Sequence, residues 1–143
     1  MEIREPRTKE DWDTYYHLRW KVLRQPWNQP LGTERDTLED QAKHFAAFEE
    51  NELLGVGRLD YIEPTTRQIR FMAVEPSCQS KGIGANLMNT METKAWNSGA
   101  TEIILHAREH ALGFYEKLGY VCIKPSHLLF GEIQHFLMKK KKG

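Results

Sequence analysis

The feature that most constrains this chain is a glycine-rich segment between a strand-like run, Ile69–Val74, and a helix-like run. Its residues are Gln79-Ser80-Lys81-Gly82-Ile83-Gly84-Ala85. The first N–H groups of a helix have no partner within the helix, and the helix dipole adds roughly half a positive charge there. Glycine allows a ligand to come close to the main chain. The segment therefore predicts a phosphate-binding turn between a strand and a helix.

Length and charge limit the classes of partner. A chain of 143 residues, 40% of them apolar and 28% charged, is typical of one globular domain, which we expect to span residues 1–143. Twenty basic and twenty acidic residues give a formal net charge of zero, so no overall field attracts nucleic acid or an acidic membrane. The basic run Lys139–Lys142 has no interleaved aromatic residues, which favours a solvated C-terminus over a nucleic-acid contact. We expect neither kind of partner.

The cysteines and histidines predict no metal site. Cys78 and Cys122 provide neither a disulfide framework nor a metal knuckle. His106 and His110 lie four residues apart, but they straddle a predicted junction between a strand and a helix and have no third ligand nearby.

The N-terminus has no apolar signal region, and no run approaches the roughly 20 apolar residues of a membrane span. We therefore expect a cytoplasmic protein.

Strand and helix signals alternate along the chain and predict an α/β or α+β fold with a mixed sheet. The connection from Val74 to Thr101 contains a helix and must join parallel strands by a right-handed crossover. The predicted strands are Ile3–Pro6, His44–Glu49, Leu53–Ile62, Gln68–Val74, Thr101–Ala107, Tyr120–Lys124 and Ile133–Lys139. Four helices are predicted. The first begins after its N-cap Thr8 and ends before Pro26, and the others are Thr33–Lys43, Lys81–Trp96 and His110–Leu118.

Three interpretations of the glycine segment compete. A P-loop would need a lysine after its glycines, whereas Lys81 precedes them, so that interpretation fails. A dinucleotide fold would need a third glycine where Leu87 stands, so that interpretation is weak. What remains is Gln-x-x-Gly-x-Gly at a turn from strand to helix. A glycine turn that only packs a strand on a helix stays an alternative.

Two segments of the chain resemble the GNAT superfamily of acyl-CoA-dependent N-acetyltransferases. Residues 73–84 match the family's Ala-Val-x-Pro followed by Gln-x-x-Gly-x-Gly, and residues 111–120 are similar to its Ala-x-x-Phe-Tyr-x-Lys-x-Gly-Tyr. Weaker matches to the small bacterial ElaA-like branch lie at Leu18-Arg19, at residues 34–44 and at residues 133–138, where Gln134 replaces the usual proline. The resemblance implies a mixed, mostly antiparallel sheet of about six or seven strands, flanked by about four helices.

The resemblance also implies where acetyl-CoA binds. Backbone amides of the glycine segment would hold the pyrophosphate, and residues 72–74 would bond the pantetheine arm. Arg108 stands where many family members have an asparagine that holds this arm, so it is a candidate for coenzyme or substrate, or else an exposed residue at a strand end. The coenzyme-binding residues are then Met72, Ala73, Val74, Gln79, Ser80, Lys81, Gly82, Ile83, Gly84, Ala85, Arg108 and Tyr115.

Two candidate catalytic residues follow from the same resemblance. Tyr115 falls where the family has a tyrosine near the thioester sulfur; it could protonate the departing thiolate, or its ring could simply pack and hydrogen-bond the coenzyme. His135 could accept the proton of the amine, or could play a structural hydrogen-bonding role. His106, Asp60 and Glu75 are further candidates for the base.

The sequence signals for the acceptor site are less specific than those for the coenzyme site. Arg24 and Trp27 correspond by position to the loop that walls the acceptor site in the family, so we predict an acceptor with an anionic or an apolar part. Trp27 could instead close the core beneath the loop.

The resemblance implies a bacterial enzyme that moves an acetyl group from acetyl-CoA to the primary amine of a small molecule or peptide, directly within a ternary complex. A CoA-binding sensor without turnover is the alternative, and a purely structural interaction domain is a third. We also predict a homodimer, formed through edge strands near the C-terminus, Tyr120–Lys124 and Ile133–Lys139.

Overall fold

The computed structural model describes residues 1–143 as one seven-stranded sheet with three α-helices. The strands are β1 (Glu2–Arg4), β2 (Lys43–Glu49), β3 (Glu52–Glu63), β4 (Thr66–Val74), β5 (Glu102–Arg108), β6 (Val121–Leu129) and β7 (Ile133–Lys141). The helices are α1 (Lys9–Leu23), α2 (Ile83–Asn97) and α3 (Leu112–Lys117). Single 3₁₀ turns lie at Gln25–Trp27, Pro76–Cys78 and Glu109–Ala111. None of the helices is both long and apolar enough to cross a membrane.

The sheet has the order β1-β2-β3-β4-β5-β7-β6, and its neighbouring strands are antiparallel except for β4 and β5. The parallel pair confirms that the connection from Val74 to Thr101 joins parallel strands. The mixed, mostly antiparallel sheet is also confirmed.

The two long helices cover opposite faces of the sheet. Successive residues of a strand point to opposite faces, and Ala46 packs in the cluster around Tyr15 and Leu18 of α1, whereas Ala47 packs in the cluster around α2. Thr8 caps α1 in a capping box with Asp11, as its position before the apolar periodicity predicts.

Helix α2 lies unusually close to β3 because β3 carries glycines at the contact. A Cβ atom on Gly55 would stand 2.8 Å from Leu87 Cδ1 and 3.0 Å from Ile83 Cγ2. The apolar residues of α2 recur at helical spacing and are fully buried at Leu87 and Met91. This contact fixes the first turn of α2, and with it the glycine segment, against the end of β4.

The predicted helix Thr33–Lys43 is wrong, so the sheet carries three α-helices instead of about four. The segment forms turns because its polar groups bond to side chains of the sheet and of α1. The carbonyl of Glu34 accepts from Arg19, the N–H of Asp36 donates to the carboxylate of Glu39, and the carbonyl of Glu39 lies 2.7 Å from His44 Nε2. Local bonds of this kind compete with helical ones.

Two boundaries near the C-terminus also differ from the prediction. Strand β6 continues to Leu129, five residues beyond the predicted end at Lys124. Strand β7 pairs with β5 on one side and with β6 on the other, so the predicted edge strand Ile133–Lys139 is an interior strand. Only β6 forms the edge at this end of the sheet.

Candidate functional site

Strands β4 and β5 separate after a short stretch of pairing, and a cavity opens where they part. Their pairing covers Thr66–Gln68 and Glu102–Ile104 only. A bulge increases the divergence, because Phe71 and Met72 together face the single residue Gly57 of β3. The cavity has a volume of about 900 Å³ and runs between the second half of β4, the start of α2, the end of β5 and α3.

Phe71 holds the bulge in a conformation that is rare for an aromatic residue. Its φ of 54° lies in the left-handed region, which L side chains avoid. The surrounding contacts support it, since the guanidinium groups of Arg19 and Arg58 stack on its ring at 4.4 and 4.8 Å. The strain therefore lies at the wall of the cavity, where the strands must separate.

The two stacking arginines belong to a buried ionic network behind the cavity wall. Arg58 bonds both oxygens of Asp60 at 2.7 Å and both oxygens of Asp36 at 2.7 and 3.0 Å. Arg58 and Arg19 each lie 2.9 Å from the same oxygen of Glu39. Burial alone would raise the pKa of Asp36, but the bonds from Arg58 and from the N–H of Leu38 lower it to about 2. With Arg70, whose Nη1 lies 3.3 Å from Asp36, three arginines face three carboxylates, so the network is charge-compensated. Asp60 is thereby excluded as the catalytic base, because both its carboxylate oxygens bond to Arg58 and it does not line the cavity.

The glycine segment presents a row of free amides at one end of the cavity. The backbone N–H groups of five of its residues donate to no protein acceptor; they are Ser80, Gly82, Ile83, Gly84 and Ala85. Ser80 and Gly82 have φ of 75° and 82°, which turns the chain into α2, and the first helical bond runs from Asn86 N–H to the carbonyl of Gly82. Unpaired amides at the N-terminus of a 15-residue helix can bind a phosphate group.

The space beside this row is narrow. A Cβ atom on Gly84 would lie 3.2 Å from the ring of Phe114 and 3.6 Å from Val74 Cγ2. Glycine thus lets the start of α2, α3 and the end of β4 come together around the cavity, and a group bound on the free amides would lie within reach of residues on all three.

Tyr115 lies farther along the cavity and keeps its proton. Burial raises the pKa of its hydroxyl to about 12, although the nearby Arg108 works against the rise. Its ring packs edge-on against Phe114 and Tyr120 at 5.0 and 6.0 Å, and its hydroxyl makes no hydrogen bond with the protein. The hydroxyl is a positioned donor available to a ligand.

Three histidines gather in the lining of the same cavity. The rings of His127 and His135 stack with centroids 4.3 Å apart, and His106 lies 5.4 Å from His127. Burial lowers the pKa of His135 to about 4, so its imidazole is neutral above that pH. Its Nδ1 lies 3.0 Å from the carbonyl of Ile133 and donates to it, which leaves the lone pair on Nε2. No group of three or more histidine, cysteine or acidic residues has a geometry suited to a metal ion.

Comparison with known protein sequences places this chain in a family. The model of the Acetyltransferase (GNAT) domain matches residues 22–142. The chain is 29% identical to the uncharacterized N-acetyltransferase YjcF of Bacillus subtilis over 125 residues, which cover 87% of this chain and 89% of that protein.

The chain belongs to the GNAT acetyltransferase family.

Solved GNAT structures share its fold. An aminoglycoside 6'-N-acetyltransferase complexed with coenzyme A superimposes with a TM-score of 0.82 at 20% identity, covering 99% of this chain and 97% of that one. Escherichia coli ElaA superimposes with a TM-score of 0.78 at 18% identity, covering 98% and 99%. At these identities the likeness concerns the fold.

Most of the site residues predicted from the sequence line this same cavity. They are Arg24, Met72, Ala73, Val74, Gln79, Ser80, Gly82, Ile83, Gly84, Ala85, Arg108, Tyr115 and His135. Lys81 and Trp27 do not line it. Lys81 is exposed on the glycine segment, and Trp27 is half-buried with its indole Nε1 buried without a partner.

Further residues of the cavity were missed by sequence reasoning. Phe71 and Arg70 belong to the bulge, which no local pattern predicts, and His127 lies on the part of β6 beyond its predicted end. Phe114 stood in the recognised Phe-Tyr pair, but its place against Gly84 depends on the packing of α3. Only an alternation of apolar and polar residues over 121–129 could have indicated that β6 continues as far as His127.

Proposed function

We propose that this GNAT acetyltransferase moves an acetyl group from acetyl-CoA to a primary amine directly, within a ternary complex. The observation that carries the proposal is that one cavity contains the free amides of the glycine segment, the unpaired hydroxyl of Tyr115 and the neutral imidazole of His135. A phosphate binder, a donor for a leaving group and an acceptor for a proton are the three groups that this reaction needs.

The residues present fit acetyl-CoA. The free amides from Ser80 to Ala85 suit its pyrophosphate, and the second half of β4 has no β5 partner, so residues 72–74 are available to bond the pantetheine arm. When bound, acetyl-CoA supplies a thioester whose carbonyl carbon can accept an amine. Arg108 lies close enough to Tyr115 to lower the pKa of its hydroxyl, so our proposal assigns both residues to the same end of the coenzyme, the acetyl end.

Tyr115 and His135 would handle the charges that the transfer creates. As the amine nitrogen forms its bond to the acetyl carbon, the bond from carbon to sulfur breaks and sulfur takes the electron pair. Because the pKa of His135 is about 4, its Nε2 can accept the proton only once the forming bond to carbon has made the nitrogen strongly acidic. The phenol of Tyr115, with a pKa of about 12 against about 8.5 for a thiol, stabilises the thiolate as a hydrogen-bond donor, since full proton transfer would be uphill by about 5 kcal/mol.

The cysteines do not favour a covalent acetyl carrier. Cys78 lies at the end of the cavity beside the free amides, where we place the pyrophosphate, and Cys122 is exposed on β6. Direct transfer therefore needs only that the amine reach the thioester from the side of Tyr115 and the histidines.

Two measurements test the function. Isothermal titration calorimetry with acetyl-CoA measures binding, and a thiol assay measures CoA release with a broad panel of primary amines. We expect binding together with amine-dependent release. Binding without release from any amine would instead support a CoA sensor, and absence of binding would contradict both.

We further propose that residues 1–143 act as one N-acyltransferase domain in the cytoplasm of a bacterium, as a homodimer, on a small-molecule or peptide amine and not on nucleic acid or a membrane. All helices pack on a single sheet, the curated relative named above is from Bacillus subtilis, and the formal net charge is zero. The edge strand β6 supports the homodimer, because it exposes apolar side chains beside unpaired backbone groups.

A further inference from the structure

The charged side chains that line the cavity all have the same sign. They are Arg24, Arg70, Arg108 and Lys117, and no aspartate or glutamate lines the cavity with them. Only Arg70 has a carboxylate partner, because its Nη1 lies 3.3 Å from Asp36. The acids of this region are instead bound in the network of Arg19 and Arg58 behind the wall. The cavity therefore has an uncompensated positive charge.

Arg24 and Arg108 concentrate this charge at one place. They are distant in the sequence, yet both donate to the carbonyl of Leu23, at 3.1 and 3.2 Å. Leu23 is the last residue of α1, where the helix dipole amounts to roughly half a negative charge. Two full positive charges thus face half a negative one. Burial lowers the pKa of both guanidinium groups, and the repulsion from Arg108 adds to the effect on Arg24.

Both arginines also keep donors that the protein does not use. Arg24 donates from Nε to the carbonyl of Thr33 and from Nη1 to that of Leu23, which leaves Nη2. Arg108 uses only Nη2, which leaves Nε and Nη1. Guanidinium groups with free neighbouring N–H donors bind carboxylate and phosphate oxygens well. The remaining sides of Arg24 face Phe71 and Phe130, at 5.8 and 5.4 Å from its Cζ.

We propose, building on the acetyl transfer inferred above, that the acceptor amine carries an anionic group, which binds between Arg24 and Arg108. The position suits an acceptor better than a coenzyme phosphate. Phe71, beside Arg24, precedes Val74 by three residues, or roughly 10 Å of extended strand, and the free amides lie beyond Val74 in the other direction. The anionic group and the pyrophosphate would thus bind on opposite sides of the thioester.

The same positive charge also prepares the amine for attack. A free alkyl ammonium has a pKa near 10.4, and nearby positive charges favour the neutral amine by lowering that pKa. No carboxylate lines the cavity to stabilise the ammonium form. Arg24 and Arg108 would therefore retain the acceptor through its anionic group while they destabilise its protonated amine, and His135 would need to accept only the last proton.

Matched amines test the charge of the acceptor. The panel pairs linear ω-amino carboxylates of two to six carbons with alkylamines of the same length, and adds the corresponding aminophosphonates and diamines. In the thiol assay we expect at least one anionic amine to exceed its matched alkylamine by at least tenfold in kcat/KM, and every diamine to be slower than the alkylamine. The carboxylate and phosphonate arms distinguish the two kinds of anion. Equal rates within every pair, or a preference for diamines, would overturn the anionic acceptor while leaving acetyl transfer intact.

Variants test the two residues. Arg24→Gln and Arg108→Gln should each reduce the ratio of the anionic to the neutral amine by tenfold or more, whereas Arg7→Gln, at an exposed position outside the cavity, should leave that ratio unchanged. Calorimetry with acetyl-CoA separates the alternatives. A tenfold weaker Kd for acetyl-CoA in both cavity variants, with unchanged discrimination between amines, would assign the pair to a coenzyme phosphate and overturn the proposal.

A binding measurement makes the inference independent of turnover. The acetylated products of one matched pair, such as 4-acetamidobutanoate and N-butylacetamide, are titrated into the protein without acetyl-CoA. The anionic product should bind at least tenfold more tightly, and Arg24→Gln should remove the difference. Equal affinity, or no measurable binding of either product, contradicts the anion site. Loss of acetyl-CoA binding in the unaltered protein would contradict the proposed function instead.

Discussion

At the scale of single residues, the hydroxyl of Tyr115 is the group whose role can be tested most directly. Replacement by phenylalanine removes a donor that has no partner in the protein, so the fold should be undisturbed. A hydrogen bond to a charged group contributes about 1.5–3 kcal/mol, so we expect Tyr115→Phe to lower kcat by roughly 10- to 100-fold with a smaller change in KM for acetyl-CoA. Steady-state kinetics measures both. Tyr61→Phe, at an exposed position, is the control, and equal kcat in the two variants would remove Tyr115 from the reaction.

The same scale shows how far single residues could be predicted. Tyr115 and the glycine segment stand in local motifs, and the sequence was enough to propose them. Phe71 was missed because its left-handed backbone arises from a bulge opposite Gly57, and its support comes from arginines that are distant in the sequence. A residue whose conformation depends on tertiary contacts leaves no local signal.

At the scale of elements, the close approach of α2 to β3 positions the free amides. Gly55→Ala would place a Cβ atom within 3.0 Å of both Leu87 and Ile83, and Ile83 lies in the first turn of α2. Overpacking of this kind costs about 1–3 kcal/mol, and we expect it to move the start of α2 and to weaken acetyl-CoA binding by about tenfold. Urea unfolding and calorimetry measure the two effects.

Gly113→Ala is the matched control for this change. It adds the same methyl group in α3, where nothing lies within 4 Å, and alanine favours a helix over glycine. We expect unchanged or slightly higher stability and unchanged acetyl-CoA affinity. If Gly55→Ala behaved in the same way, α2 would not depend on this contact for its position.

Elements were predicted well where local periodicity and packing agree. The strands around the parallel crossover and the helix after the glycine segment appear near the predicted bounds because their apolar faces are the faces that pack. The segment Thr33–Lys43 has helix-forming residues, but Asp36 and Glu39 are needed by the buried Arg58, and this demand overrides helix propensity. A sequence pattern does not show which carboxylates a buried arginine will bind.

At the scale of the whole molecule, the sheet ends in an edge strand that should pair with a second copy. Strand β6 exposes Val121, Ile123 and Leu128, which are each at least half exposed. We expect a dimer by size-exclusion chromatography with light scattering, and a monomer after Ile123→Lys, because a charge on an edge opposes pairing. Ile62→Lys, an equal change on another exposed isoleucine at the end of β3, should remain dimeric. A monomeric unaltered protein, or a dimeric Ile123→Lys, would contradict pairing through β6.

Acid should weaken the whole fold before its carboxylates titrate, because of buried histidines. Burial lowers the pKa of His44, and lowers that of His135 to about 4, whereas an unfolded histidine has a pKa near 6.5. Between these values the unfolded chain binds more protons than the folded one, so the free energy of unfolding falls as the pH drops below about 6.5, by up to about 3 kcal/mol for His135.

Urea unfolding at pH 7 and pH 4.5 measures this loss of stability. His135→Asn keeps an N–H for the carbonyl of Ile133 and cannot titrate, so its loss should be smaller than that of the unaltered protein, while His17→Gln on the exposed side of α1 should match the unaltered protein. An equal loss in His135→Asn would show that the acid sensitivity arises elsewhere.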